Sequence, residues 1–233
     1  MKKIKLFIPA AGKGSRAGLD YPKTLYKIHD KPILINILDI CKRIDDEPIL
    51  VASVKGQNSI ISTLNNYNKK FEILIQKKPL GMADAILNLE NSKFYHEIDD
   101  YLLIWSDLIS PSLDTITQLI NLHFSNNYDL TIASMNNQSC YTEIIRNNGR
   151  IIAVNENRNK KKLIIGERDV GIFVINKKIL KYLKAYKKKI FINNEYSFLA
   201  SIRYLIEDKL KVEAFPIATN MDLKSFNSLK DLK

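Results

Sequence analysis

Two cysteines in 233 residues, Cys41 and Cys140, rule out a disulfide framework, and neither lies at metal-ligand spacing from another ligand. Both are expected to be inert thiols in a reducing compartment. The three histidines, His29, His96 and His123, also lack ligand-like spacing and read as surface residues. No apolar run approaches the roughly 20 residues that cross a bilayer. The charged start Met1-Lys-Lys ends after a few apolar residues in a glycine loop, so it reads as a first buried strand rather than a leader. A cytoplasmic protein without a membrane partner is expected. Acidic residues are outnumbered and the formal net charge is +11, yet lysine is dispersed, with no basic arm and no aromatic-spaced RNA motif. A nucleic-acid partner is therefore not expected. Lys160-Lys-Lys162 and Lys187-Lys-Lys189 read as solvated loops.

With 45% apolar residues and no linker or repeat, the chain can bury one sizeable core, which predicts a single domain over 1–233. Short apolar runs alternate with amphipathic segments. Strands are predicted at 4–9, 48–54, 71–76 and 101–105, and helices at 32–43, 57–64 and 83–89. Further helices are predicted at 113–124 and 195–207, and strands at 130–135, 170–175 and 212–216. Asn147-Asn-Gly149 should turn a hairpin of 142–145 with 151–155. The nearly continuous apolar run at 101–105 suits a strand buried on both faces. This βαβ alternation predicts an α/β fold with a doubly wound sheet, whose ligand sits beyond the carboxyl ends of the strands.

The first strand empties into Ala10-Ala-Gly-Lys-Gly-Ser-Arg-Ala-Gly18, followed by Tyr21-Pro-Lys-Thr-Leu25. Gly12, Gly14 and Gly18 let backbone N–H groups turn toward an anion, and Lys13, Arg16 and Lys23 surround it with charge, as a triphosphate requires. A P-loop is excluded because its first glycine would fall on Phe7. Gly12-Lys-Gly-Ser-Arg-Ala17 does satisfy the loose dinucleotide pattern. That pattern needs a helix starting inside it, and Pro22 argues against one.

Pro9-Ala-Ala-Gly-Lys-Gly-Ser-Arg16 with Pro22-Lys-Thr-Leu25 resembles the signature of the sugar-1-phosphate nucleotidyltransferases, the pyrophosphorylases that make nucleotide sugars. Ile75-Gln-Lys-Lys-Pro-Leu-Gly-Met-Ala-Asp-Ala-Ile86 is similar to that family's Q-x-x-P-L-G-T-A-x-A segment, and Leu103-Ile-Trp-Ser-Asp107 to its strand ending in aspartate. The nearest relative suggested is the pyrophosphorylase domain of UDP-N-acetylglucosamine synthesis. The resemblance implies a Rossmann-like, mostly parallel mixed sheet in an α/β/α sandwich, the nucleotidyltransferase fold. It also implies a nucleoside triphosphate, a sugar 1-phosphate and Mg²⁺ as substrates and cofactor. Nucleotide contacts are implied for Ala10, Ala11, Gly12, Lys13, Gly14, Ser15, Gln76, Gly81 and Met82, and catalytic contacts for Arg16, Lys23 and Asp107.

Asp107 follows an apolar strand, so its carboxylate should emerge beside the glycine loop, a plausible seat for a metal that takes only one or two protein oxygens. The alternative is a cap for the helix that starts near Ser110-Pro-Ser-Leu113. The resemblance supplies a second metal ligand near the C-terminus, at Asn227, with Asp222 in reserve. Gln76 carries donors and an acceptor that can read a base edge, unless it is simply an exposed amide; Gly81 would let backbone approach the same ring. Uracil or thymine is implied, although Met82 stands where the family has threonine.

On the sugar side the pattern departs. Cys140-Tyr-Thr-Glu143 replaces G-Y-G-R, Glu156 matches a glutamate, and Asp169-Val-Gly171 replaces N-T-G, so Tyr141, Thr142, Glu156, Asp169 and Gly171 are the implied sugar contacts. A substrate other than N-acetylglucosamine 1-phosphate is therefore credible. Glu143 could grip a hydroxyl or amino group, or face solvent. The expected reaction is attack by the sugar phosphate on the α-phosphorus, with pyrophosphate leaving. Alternatives are a cytidylyltransferase using an alcohol phosphate such as phosphocholine, and a nucleotide sensor on the same fold. The length, without a hexapeptide-repeat domain, predicts no acetyltransferase activity. A homo-oligomer is left open.

Overall fold

The computed structural model describes residues 3–12, 14, 18–138, 141–156 and 165–226. In chain order, β1 (Ile4–Pro9), β2 (Lys27–Ile28) and β3 (Lys31–Pro32) precede α1 (Ile33–Cys41), β4 (Ile49–Ser53) and α2 (Gln57–Asn66). Next come β5 (Glu72–Gln76), α3 (Met82–Leu87), β6 (Asp100–Ile104), α4 (Leu113–Asn126) and β7 (Leu130–Asn137). The hairpin β8 (Thr142–Asn147) and β9 (Arg150–Glu156) leads to β10 (Gly166–Asn176) and α5 (Ile179–Ala185). A second hairpin, β11 (Phe191–Ile192) and β12 (Glu195–Tyr196), precedes α6 (Phe198–Glu207) and β13 (Val212–Phe215).

Seven strands form one sheet in the order β13-β7-β10-β6-β1-β4-β5. All neighbouring pairs are parallel except those of β10, which runs antiparallel to both β6 and β7. The period-2 alternation of strands splits each one between two cores. Phe7, Tyr101, Leu103 and Phe173 face α3, α5, α6 and the β8–β9 hairpin. Leu6, Ile8, Leu102, Ile104 and Val174 face α1, α2 and α4. Burial on both faces explains why these strands read as unbroken apolar runs, each fully buried Leu, Ile or Phe contributing about 1.5–3 kcal/mol. The result is the expected α/β/α arrangement around a mostly parallel mixed sheet.

The departures from the sequence reading are local. The helix predicted from Glu195 begins at Phe198, because Asn193 and Asn194 take positive φ (51° and 64°) and turn a short hairpin that uses Glu195 and Tyr196 as strand. Ser197 then caps α6, its hydroxyl accepting from Ala200 N–H at 3.1 Å. The helix α5 was not anticipated. His123 is not on the surface: it is 1% exposed, with Nδ1 3.2 Å from Thr131 Oγ1 and Nε2 3.2 Å from Asp100 Oδ1. Cys41 is buried, and burial, with the Asp45 charge adding to it, pushes its thiol up to about 12, so it is inert as expected. In the second basic run Lys188 and Lys189 are exposed, as expected of a solvated turn, while Lys187 lies over the ring of Tyr196 and Lys189 over those of Tyr186 and Tyr204. Cys140 and the run at 160–162 lie outside the described residues. Among the described residues, no helix is long and apolar enough to cross a membrane.

Candidate active site

One edge of the sheet gathers the chemistry. The parallel strands β1, β5 and β6 end there at Pro9, Gln76 and Ile104, and the antiparallel β10 brings its early residues Asp169–Gly171 to the same edge, with Ile172 paired to Ile104. Ala10 and Ala11 continue β1 into the core, Ala10 N–H donating to Val51 C=O at 2.7 Å. Gly14 is buried with φ +69°, and a Cβ there would meet Tyr21 C=O at 2.7 Å, so the loop folds back on the Tyr21–Lys23 segment only as glycine. Lys13, Ser15 and Arg16 lie outside the described residues. Among the described residues the first α-helix after β1 is α1, beyond the Pro22 turn, which argues against a dinucleotide-type strand-turn-helix.

Lys23 starts a 3₁₀ turn over Lys23–Leu25, and its ammonium is ion-paired with Asp107 Oδ2, both side chains being largely buried. The other Asp107 oxygen, Oδ1, is buried and has no hydrogen-bond partner among the described residues. The helix-cap alternative for Asp107 fails. Ser112 is the N-cap of α4, and Ser112 N–H donates to Asp222 Oδ1 at 2.7 Å. Asp222 is 1% exposed, and its Oδ2 also accepts from Thr115 Oγ1, Thr219 N–H and Thr219 Oγ1 at 2.8–3.0 Å, so it is a structural clasp and not a free metal ligand.

The C-terminal segment does reach Asp107. Leu108 bridges to Ser225, Ile109 N–H donates to Lys224 C=O at 2.9 Å, and Phe226 N–H donates to Asp107 C=O at 2.8 Å. Phe226 in turn stacks on Tyr26, with ring centroids 4.3 Å apart, beside the Lys23 turn. Asn227 itself lies outside the described residues. Among the described residues no three His, Cys, Asp or Glu side chains are grouped to hold a metal. A lone carboxylate with an orphaned oxygen suits Mg²⁺, which leaves most of its shell to phosphate and water.

Gln76 is 5% exposed, not a surface amide. Its Nε2 donates to Gly81 C=O at 3.0 Å and to Asp84 Oδ2 at 2.9 Å. Both partners are acceptors, which fixes the amide: the NH₂ is committed inside the protein and only the carbonyl oxygen remains for a base. Gly81 has a cause of its own. With φ +97°, a Cβ would stand 2.8 Å from Tyr196 N and O, so the residue is glycine because the β11–β12 hairpin crosses it. Met82 opens α3 and packs against the adjoining core.

On the other side of Asp107, Thr142 Oγ1 donates to Asp169 Oδ1 at 2.5 Å, and Gly171 N–H donates to Asp169 Oδ2 at 3.1 Å. Glu156 accepts from Ser197 Oγ at 2.7 Å, Tyr141 is exposed, and Glu143 is half-buried rather than solvent-facing. Sequence reasoning missed Trp105. Its N–H donates to Gly171 C=O at 2.9 Å, its ring lies against Gly171, and its indole Nε1 is buried with no partner among the described residues. A tryptophan directly after a buried strand and two residues before the aspartate was the available signal.

Burial raises the Asp169 carboxyl above its ordinary 3.8, against the lowering effect of Thr142. A raised acid favours folding most below its unfolded pKa and loses that contribution as pH rises through the folded value. Asp169→Asn should therefore gain stability relative to wild type as pH is raised from about 4 to about 7. Thermal melts across that range check this; parallel profiles would contradict it.

No protein-family model matches the chain. It is 31% identical over 184 residues, 77% of its length, to the bifunctional protein GlmU of Buchnera aphidicola subsp. Schizaphis graminum. It is 27% identical over 98% of its length to the GlmU of Buchnera aphidicola subsp. Baizongia pistaciae. The chain spans 39% and 51% of those two relatives, about half their length or less. Among solved structures, the inositol-1-phosphate CTP transferase of T. maritima superposes with a TM-score of 0.74 at 17% identity, over 100% of this chain and 92% of that one. A putative glucose-1-phosphate thymidylyltransferase of Bacillus anthracis gives 0.73 at 17% identity, over 91% and 86%. The resemblance to the sugar-1-phosphate nucleotidyltransferases is thus met in sequence by the GlmU relatives, and the solved neighbours share the fold.

Two of the departures from the family pattern meet in the fold. Thr142 replaces a glycine and Asp169 an asparagine, and the two are hydrogen-bonded to each other. Each change is thus partnered by the other, and both side chains are buried.

Proposed function

We infer that the chain transfers a nucleotidyl group from a pyrimidine nucleoside triphosphate to a sugar 1-phosphate. The observation that carries this reading is the Asp107 carboxylate, held beside the glycine loop with one oxygen orphaned and the other on Lys23. An oxygen of the sugar phosphate attacks the α-phosphorus, the bond to the β-phosphate oxygen breaks, and pyrophosphate leaves. The nucleophile is already anionic, so positioning and charge neutralisation carry the catalysis and no strong base is needed. Mg²⁺ would supply Lewis-acid neutralisation on the phosphates, held by Asp107 and Asn227. Lys23 takes the α-phosphate or the sugar phosphate, and Lys13 and Arg16 the leaving β- and γ-phosphates.

Base choice follows from Gln76. With its NH₂ committed, the carbonyl oxygen suits the N3–H of uracil or thymine, whereas cytosine presents an acceptor at N3. UTP or dTTP should exceed ATP and GTP by at least about tenfold, or about 1.4 kcal/mol. The buried Thr142–Asp169 pair supports an acceptor other than N-acetylglucosamine 1-phosphate. Pyrophosphate release from four triphosphates against a panel of sugar phosphates, with choline phosphate included, tests both points. A clear GTP preference would overturn the base assignment, and turnover with CTP and choline phosphate alone would replace the sugar reading.

A further inference from the structure

The Lys23 side chain reaches Asp107 across 84 residues of sequence, passing so close to the loop that a Cβ on Gly12 would stand 3.7 Å from Lys23 Cε. Its ammonium therefore sits between the glycine loop and the carboxylate, where a divalent cation joining Asp107 to a triphosphate would also have to sit. The backbone on both sides is fixed. Lys23 lies in a hydrogen-bonded turn, Leu25 N–H donating to Pro22 C=O at 2.9 Å, and Asp107 is held by Phe226. The flexible element is the lysine stem, which can turn from the carboxylate to a phosphate without moving either segment.

We propose that Lys23 is the resident counter-ion of Asp107 in the nucleotide-free protein and gives up the carboxylate only when phosphates arrive to receive its charge. This rests on the reading of the site as a metal-assisted nucleotidyltransferase. An ammonium beside a carboxylate disfavours a second cation there, and a triphosphate removes that penalty by drawing the ammonium away. Lys23 thereby makes metal binding conditional on nucleotide and keeps Asp107 neutralised between turnovers. The orphaned Oδ1 is the part of the carboxylate that the lysine leaves unserved.

Mn²⁺ binding followed by electron paramagnetic resonance, with no nucleotide present, tests this without turnover. Lys23→Met, which keeps the stem and removes the charge, should bind Mn²⁺ at least about tenfold more tightly than wild type. Lys23→Arg, which keeps the charge, should stay near wild type, and Asp107→Asn added to Lys23→Met should abolish the gain. Lys23→Gln offers the same neutral test should the methionine variant not fold. Equal Mn²⁺ affinity in the neutral variants and wild type, a gain in Lys23→Arg, or a gain that survives Asp107→Asn would each overturn the proposal. Failure of the nucleotidyltransferase reading would appear elsewhere, as an absence of pyrophosphate release by wild type with every triphosphate and acceptor.

Discussion

Asp107→Asn should lower turnover by about two to four powers of ten while leaving the fold and much of the triphosphate binding in place. The substitution is isosteric, and the backbone contact that anchors this position, Phe226 N–H on Asp107 C=O, does not involve the side chain. The ion pair with Lys23 is lost, but an amide can still accept a hydrogen bond from the ammonium. What disappears is the charge that would hold a metal as negative charge redistributes among the phosphates. Excess Mg²⁺ should therefore restore part of the rate. Steady-state kinetics over a Mg²⁺ titration, with a thermal melt to confirm folding, make the measurement. A near wild-type rate throughout would leave Asp107 with no chemical role, since Ser112 and Asp222 already account for the start of α4.

The second large effect concerns stability and the acceptor pocket together. Arg146 in β8 donates from Nε and Nη2 to both oxygens of Glu167 at 2.6 and 2.9 Å, and from Nη1 to Glu213 at 2.7 Å. It also donates to Ala214 C=O at 2.6 Å, so one guanidinium ties the β8–β9 hairpin to β10 and β13. Burial pushes the Glu167 carboxyl up, but Arg146 and Ser134 outweigh it and hold the group below its ordinary value. Arg146→Met would leave two partly buried carboxylates, Glu167 and Glu213, without the cation they share. Breaking a fully buried pair costs about 3–5 kcal/mol, and discounting for partial exposure gives about 2–3 kcal/mol here. Because the hairpin carries Thr142 and Glu156, KM for the acceptor should rise more than KM for the triphosphate. Denaturant melts and a two-substrate kinetic matrix read the two effects, and equal rises in both KM values would detach the hairpin from acceptor binding.

Much of this was legible because it is written in local periodicity. Strands such as 101–104, buried on both faces, announce themselves as apolar runs, and Asn147-Asn-Gly149 marks its own turn. The glycine loop and the strand-end aspartate place themselves at the sheet edge once the alternation is recognised. What escaped depends on contacts between distant residues. Nothing near Gly81 reveals that Tyr196 crosses it, and nothing near Lys23 reveals Asp107. Asp169 and Thr142 each read as a substitution, and only the fold shows them as a pair. Asp222 stood in reserve behind Asn227 as the metal ligand that the resemblance places near the C-terminus, whereas it spends its carboxylate on backbone and hydroxyl donors. The second hairpin was absorbed into a helix because Glu195 and Tyr196 continue the amphipathic run of α6.

The central claim is that the α-phosphorus of a pyrimidine triphosphate moves to a sugar phosphate under control of a metal at Asp107. UTP labelled on its α-phosphate, incubated with the protein, Mg²⁺ and a mixture of sugar 1-phosphates, should pass its label into a nucleotide sugar, with pyrophosphate formed in equal amount and the transfer stopped by a chelator. Label that stays in UTP, or that appears as UDP with orthophosphate released, would contradict the account.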